Sequence, residues 1–484
     1  MPIKRMSRRE FLTLAGAVSG ATLLAACQPK ATPTAVPAKP TDTPPPKPTA
    51  TPPPKPTATP PPAEKVTIEF LGEPGSADLR AEEQEKFQAE NPNIEWVQVE
   101  QPEVVSRLEQ LLTLVAAGTP PDCARVESDV YRTFCKYELL LPISDLIAAD
   151  PELSKPDYWI QPQERDRCEY EGEWYGIGSC WVAPHFYYNR SLFDELGIEP
   201  PSNDPDEAWG WDEFLGIAQQ LTVDTNGKHP GEAGFDANSI DRWGAFWPTW
   251  WIPLHAAVQS NGTDWVDPVT GKIVLDAPAA MEALQRVADL KLVHQVALSQ
   301  AAFDTLGMAE ADFLSTKKVG LYNTGSWSVN WLWQIEGGLG TGVLPKMTRP
   351  ATDMQAHLIV IVKETEHPDE VWKLIRFLAS PWFQERYCQA GLWLPSQTAL
   401  MTPEAIARWC TPPVHPEGYE LIVTEYAPKY GHYLTMPVGY AKAAEAALTP
   451  AFDKIWIGDA KAEDVLPEAV AEANRIMEEE QARP

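Results

Sequence analysis

The sequence predicts an α/β protein built on a largely parallel sheet covered on both faces. Three observations carry this. From Val66 onward, short β-rich runs alternate with runs of helical periodicity, the pattern of strands joined by crossover helices. The helical runs end at recognisable stops, Asn91-Pro92 and then Gly118, because proline restricts the residue before it and glycine accepts the left-handed cap. Finally, 44% of the 484 residues are hydrophobic, which supplies an ordinary core and excludes wholesale disorder.

The elements follow in order. Val66–Phe70 alternates as a first strand and gives way to a polar loop over 72–76. A helix opens at Asp78 and must stop at Asn91-Pro92; Ile94–Val99 is a second strand. Val104, Leu108, Leu111, Leu112 and Val115 recur at helical spacing up to Ala117. Cys123–Val126 reads as a short strand and Asp129–Glu138 as a helix. In sheets of this kind ligands bind beyond the carboxyl ends of strands, here Gly72–Ala77 and Glu127–Asp129. From about residue 185 the texture turns to Trp-rich helices and loops. A helix begins at Asp276-Ala-Pro278 with Met281, Leu284, Val287 and Ala288 inward; Lys318–Tyr322 and Gln355–Val362 are strands, and Asp369–Ala379 is a helix. From Ala441 onward the pattern is Ala/Glu-rich helix.

The N-terminus reads as an address. Lys4, Arg5, Arg8 and Arg9 precede an apolar stretch from Phe11 to Ala26, short for a membrane span of about 20 residues. Ser7-Arg8-Arg9-Glu10-Phe11-Leu12 resembles the twin-arginine export motif, and Leu24-Ala25-Ala26-Cys27 resembles the bacterial lipobox. Lipidation of Cys27 would anchor the protein to the outer face of the bacterial cytoplasmic membrane. Residues 28–64 hold 15 of the 48 prolines, with an eight-residue unit starting at Thr43 and again at Thr51. Such a composition predicts extended polyproline II, a tether between anchor and folded part.

Charge sharpens the picture. The chain carries −29; residues 1–64 hold eight bases and three acids, so the remainder carries −34. A surface that acidic repels phosphate backbones, so no nucleic-acid partner is expected. Beyond Cys27, six cysteines fall in neighbouring pairs: Cys123 with Cys135, Cys168 with Cys180, and Cys388 with Cys410. Of the fifteen pairings six cysteines allow, the local ones are favoured, Cys123–Cys135 first, with free buried thiols the alternative.

A series of short motifs runs through residues 65–484. They include Phe87-x-x-x-Asn91-Pro92-Asn93-Ile94, Ala116-Ala-Gly-Thr-Pro-Pro-Asp122, Gly172-Glu-Trp-Tyr-Gly176, Tyr187-Tyr-Asn-Arg190, Trp211-Asp-Glu-Phe214, Phe313-Leu-Ser-Thr-Lys-Lys-Val319, Gly325-Ser-Trp327 and Phe377-Leu-Ala-Ser-Pro381. In this order they resemble the extracellular solute-binding proteins of family 1, the sugar-binding components of ABC importers akin to maltodextrin-binding protein. The resemblance implies a two-lobe periplasmic-binding-protein-like fold of type II, with discontinuous lobes and an interlobe cleft. It divides the chain into a signal (1–27), a linker (28–64), an N-terminal lobe (65–181 plus 345–400) and a C-terminal lobe (182–344 plus 401–484). It also implies a monomer that hands a carbohydrate to ABC-transporter permease subunits. Where the family often has an Arg shortly after the proline matched by Pro395, this chain has Ser396-Gln397.

All 19 tryptophans lie in 65–484, and an indole face packs well on the C–H face of a sugar. Trp327, in the Gly-Ser-Trp turn that the family turns to its cleft, is the first candidate. Trp247, Trp250 and Trp251 form the densest cluster, of which at least one belongs in the core. Trp181 and Trp393 fall at inferred chain crossings, where hinge packing is the equal alternative. Tyr433 and Tyr440 precede the last helices. Glu73, Glu127 and Asp129 sit at strand ends, where carboxylates suit vicinal diols; Asp129 is equally suited to cap a helix. No zinc-protease, nucleophile-elbow or P-loop spacing is present, so the expectation is a binding protein with no catalytic residue, metal or cofactor. The rivals are a receptor for cationic or peptide solutes and a secreted carbohydrate hydrolase.

Overall fold

The computed structural model describes residues 65–72, 77–99, 107–160, 163–178 and 180–483. The signal, Cys27, the linker and Glu73 lie outside the described residues.

The first lobe is built on β1 (Val66–Leu71), β2 (Ile94–Val99) and β3 (Cys123–Val126), which run parallel in the order β2-β1-β3. The hairpin β4 (Glu169–Tyr170) and β5 (Glu173–Trp174) leads into β6 (Gly176–Gly178). α1 (Ala77–Glu90), α2 (Arg107–Ala116) and α3 (Tyr131–Lys136) link or follow the parallel strands. The sheet is mixed rather than largely parallel, because a distant strand, Leu358–Ile361, enters antiparallel between β3 and β6. That strand, Leu-Ile-Val-Ile, has no polar position because both of its faces are covered. Ile359 and Ile361 join one cluster with Ile68, Phe70 and Phe87, and Leu358 and Val360 join the other with Ala124, Val126 and Phe134. Each side chain so buried contributes roughly 1.5–3 kcal/mol.

This two-sidedness decides the cysteines. Cys123 points into the first cluster and Cys135 into the second, so the sheet stands between them; Cys180 and Cys168 are separated in the same way. Cys388 and Cys410 both lie against the second lobe without a bond. The expected local disulfides are therefore absent, and all six residues are free thiols. Burial pushes the Cys135 thiol up to about 12.

The second lobe carries β7 (Pro184–Asn189), β8 (Val223–Asp224), β9 (Ile240–Phe246), β10 (Ala297–Leu298), β11 (Val319–Gly325) and β12 (Leu339–Gly342), in the order β10-β9-β11-β7-β12 with β8 beside β9. Around this sheet pack α4 (Trp211–Leu221), α5 (Trp251–Ser260) and α6 (Pro278–Leu292), and farther on lie α7 (Glu310–Ser315) and α8 (Val329–Leu332). β13 (Thr352–Asp353), the strand already described, now β14 (Leu358–Ile361), and β15 (Gly431–His432) complete the strands; β13 pairs with β15. α9 (Pro368–Leu378) and α10 (Pro381–Gln389) return to the first lobe, and α11 (Ala462–Gln481) closes the second. One large cluster fills this lobe, running from Phe186 and Trp211 through Leu284 to Met477.

Three chain segments cross between the lobes and pair with one another. Trp181 exchanges backbone hydrogen bonds with Leu394 (2.7 and 2.9 Å), and Val182 with Gln355 (2.8 and 3.2 Å). Met354 packs with the second lobe and Ala356 with the first. Beneath this ladder lies a fully buried ion pair, Glu164 with Arg167. The Arg167 guanidinium sits 3.8 Å over the Trp181 ring and donates to the Cys180 carbonyl at 2.7 Å. A buried pair of this kind holds only while both charges keep their partners.

Candidate ligand-binding cleft

In the second lobe β9 and β11 run parallel, so their carboxyl ends share one edge. At that edge Gly325 leads into a single helical turn, Ser326–Ser328, that presents Trp327. The position must be glycine: a Cβ on Gly325 would lie 1.8 Å from the Trp327 ring. After β9 the chain reaches Trp250, the residue before α5. Trp250 is 41% exposed, and its ring centroid lies 6.0 Å from that of Trp327, tilted by 53°. Trp327 is half-buried, and although it belongs to the second lobe's sheet, it packs against the first lobe's core. It therefore sits where the two lobes meet.

On the first-lobe side, β3 ends at Val126. Glu127 pairs with Arg125 at 3.1 Å, and its carbonyl accepts from the N–H groups of Val130 and Tyr131. Asp129 is half-buried and does not cap α3: the capping position is Val130, without a side-chain bond. Burial pushes the Asp129 carboxyl up to about 6, with the Glu127 charge adding to it. The opposing group is Tyr440, buried in the second lobe, whose hydroxyl is raised by burial and by the charge of Asp129. α3 is held to the second lobe beside it. The Gly439 N–H donates to Thr133 Oγ1 at 3.2 Å, and Tyr137 Oη donates to Glu480 at 2.9 Å.

The remaining candidates divide plainly. Trp247 is 4% exposed and wedged among Phe186, Trp211 and Phe214, with Nε1 donating to the Pro253 carbonyl. It is a core residue because the strand end it follows is already buried. Trp251, half-buried, packs on the same core. Trp181 has no exposed surface, and Trp393 stacks on Tyr387 at 4.3 Å and 12°. Both pack at the lobe crossings, Trp181 under the Arg167 guanidinium and Trp393 against Tyr387. Tyr433 is edge-on to Trp181 at 6.1 Å and lines a separate groove of about 1170 Å³ between the lobes. Arg132, Lys136, Arg165, Asp166, Glu169 and Glu171 line it from the first lobe and Asp264 and Asp267 from the second; no tryptophan lines it.

Two features lie outside what the spacing revealed. His255 on α5 is buried between Asp353 of β13 and Asp264, which it reaches at 3.3 Å. These residues are up to 98 positions apart in sequence, so no local pattern signals them. Burial works against the charged imidazole, but the bonds to Asp264 and Asp353 outweigh it and hold His255 up at about 9. With carboxylates on both ring nitrogens, His255 serves as a strut rather than a proton shuttle. The second feature is Trp331, four residues beyond Trp327, with Glu310 beside it. Among the described residues no group of three or more His, Cys, Asp or Glu side chains is arranged to hold a metal ion, and no helix there is long and apolar enough to cross a membrane.

Residues 73–385 match the model of the bacterial extracellular solute-binding protein family. The chain belongs to that family. This solute-binding protein is 27% identical over 188 residues to an arabinooligosaccharide-binding protein of Halalkalibacterium halodurans, a match covering 39% of the chain and 36% of that relative. It is 22% identical to an uncharacterised ABC-transporter extracellular-binding protein of Pyrococcus horikoshii, over 66% of the chain and 69% of the relative. Its fold is similar to that of an ABC substrate-binding protein of Listeria monocytogenes in complex with cycloalternan, with a TM-score of 0.73 at 19% identity over 86% of this chain and 100% of the other. A maltose-bound Thermotoga maritima protein gives 0.66 at 19% identity over 84% and 99%. The two-lobe α/β fold expected from the motif series is thus the fold of this solute-binding protein.

Proposed function

We propose that this protein captures a carbohydrate, an oligosaccharide in particular, between its two lobes and delivers it to the permease subunits of an ABC importer without altering it. The observation that carries the reading is the pair of accessible indoles, Trp250 and Trp327, at the lobe junction. An aromatic floor with a carboxylate, Asp129, on the facing lobe suits a sugar's apolar face and its hydroxyls. Glu127 and Tyr440 belong to the polar wall in this reading, Trp251 supports the floor, and Glu73 is proposed as a further ligand contact. The saccharide-named relatives and fold neighbours support the ligand class.

A ligand touching both lobes favours the closed arrangement by its differential contacts. In this reading the lobes are 65–181 plus 345–400 and 182–344 plus 401–484, working as a monomer. The packing of Met354 on one lobe and Ala356 on the other supports a chain crossing between these lobes in the neighbourhood of residues 345–356. The protein is extracytoplasmic, lipid-anchored through Cys27 after export on the twin-arginine signal, and lifted from the membrane by the proline-rich linker.

Titration calorimetry against a panel of oligosaccharides, amines and peptides tests the core of this. Micromolar or tighter binding of a saccharide, about −8 kcal/mol, with no product on prolonged incubation, is the expected result. Binding confined to amines or peptides, or turnover of a sugar, overturns it. Mass spectrometry of the mature N-terminus tests the anchor, which requires an acylated Cys27.

A further inference from the structure

A second indole stands at the same edge of the second lobe. The turn that presents Trp327 runs directly into α8, so residues 326–332 form one continuous helical segment. Trp331 follows Trp327 by a little over one turn of this segment, so it stands farther along the same edge, offset by roughly 6–7 Å along the axis. That offset is close to the repeat of one pyranose unit in a chain. Within the segment Val329 is buried, and Asn330 Nδ2 donates to the Ala390 carbonyl at 2.8 Å.

Trp331 is 41% exposed, yet it is not free to turn. Its Nε1 donates to Glu310 Oε2 at 2.7 Å, and the same carboxylate oxygen accepts from Ser328 Oγ at 3.3 Å. Ser328 Oγ is itself 3.0 Å from Thr324 Oγ1 on β11. The buried Tyr322 hydroxyl also faces Glu310, whose charge and hydrogen bond add to the upward push of burial on it. An exposed tryptophan that only covers the surface has no need of such a frame. A ring meant to receive a ligand does, because fixing it beforehand removes the ordering cost from the binding step.

We propose that Trp331, pinned by Glu310, is a second sugar-stacking position. It takes the ring next to the one held at Trp250 and Trp327, so that the cleft is built for chains of at least two rings. The inference rests on the carbohydrate reading and adds a chain-length requirement to it. Glu310 is a positioning residue here, and Trp331 touches the ligand.

The test is calorimetry on the exported protein with one- to four-ring members of the malto-, manno- and arabino-oligosaccharide series. The wild type is expected to gain affinity from one ring to two. Trp331→Ala should remove at least tenfold of that gain while leaving single-ring binding within about twofold; Trp327→Ala should weaken every length. Trp331→Phe, which keeps a ring but loses the pin, and Glu310→Gln, which keeps an acceptor, should each retain part of the gain. A Trp331→Ala effect equal at all lengths, or none with the wild type binding, overturns the proposal. No saccharide bound by the wild type in any series overturns the carbohydrate reading itself, and the chain-length claim with it. Trp331 is exposed, so a thermal melt matching the wild type confirms that the variant is folded.

Discussion

Asp129→Asn should move binding and stability in opposite directions. The folded protein raises the Asp129 carboxyl from 3.8 to about 6, chiefly by burial. A raised acid binds its proton more tightly folded than unfolded, so ionising it costs stability as pH rises through 6, and below 3.8 the cost vanishes. The gap corresponds to roughly 3 kcal/mol for a fully buried group, and partial exposure reduces it to the order of 1 kcal/mol. Asparagine fits the same volume and never ionises. The variant should therefore unfold later than the wild type at pH 7.5, by about 1–2 °C for a folded part of this length, and with it at pH 3.5. Against a saccharide ligand it should lose about tenfold or more in affinity, since a charge-assisted hydrogen bond contributes about 1.5–3 kcal/mol. Urea denaturation at both pH values and calorimetry at pH 7.5 read the two effects. Equal stability at pH 7.5 would refute the claim that this carboxylate is held at a cost, and undiminished binding would remove it from the cleft.

Other substitutions separate cleft from core. Trp327→Ala should weaken saccharide binding by about 2 kcal/mol or more, whereas Trp247→Ala should lower stability by about 3–5 kcal/mol and leave the affinity of the folded fraction unchanged; calorimetry and chemical denaturation read each. Gly178→Ala would set a Cβ 1.4 Å from Arg167 Nη2 and 2.5 Å from Glu164 Oε1, prising apart a buried ion pair at a cost of about 3–5 kcal/mol, visible as an earlier urea midpoint. Because His255 is held up at about 9, its stabilisation is complete below its ordinary value near 6.5 and is lost as pH rises through 9. Thermal stability should fall between pH 7.5 and 9.5 in the wild type and fall less steeply in His255→Gln.

The alternating strands and their stops were legible, and α1, β2, β3 and α9 begin and end within a few residues of the predicted bounds. The mixed character of the first sheet was not, because β14 comes from more than two hundred residues beyond its neighbour β3 and its apolar run does not encode direction. Trp327 was a candidate through the Gly-Ser-Trp resemblance and Trp250 only as one of a dense cluster; the structure brings these two rings together at the lobe junction. Trp181, Trp247 and Trp393 look the same in sequence, and only packing tells an indole in a hinge from one in a cleft. The cysteine pairs misled for a similar reason: proximity along the chain says nothing about which face of a sheet a side chain takes. Trp331 was within reach of the four-residue spacing from Trp327, but Glu310, which gives it meaning, arrives from another helix.

The place of β14 has a consequence for how the protein is made. Emerging from its N-terminus, the chain has β1 to β6 in hand by residue 178, yet the sheet cannot close, because the strand that joins β3 to β6 is Leu358–Ile361. Until then β3 presents a bare edge, the kind of surface that invites pairing with another chain. The sheet of the second lobe, by contrast, is complete from β7 to β12 within residues 184–342. The sheet begun first is thus the one closed last. Its early half needs shelter through most of synthesis, and no fragment that stops short of residue 361 contains a whole lobe.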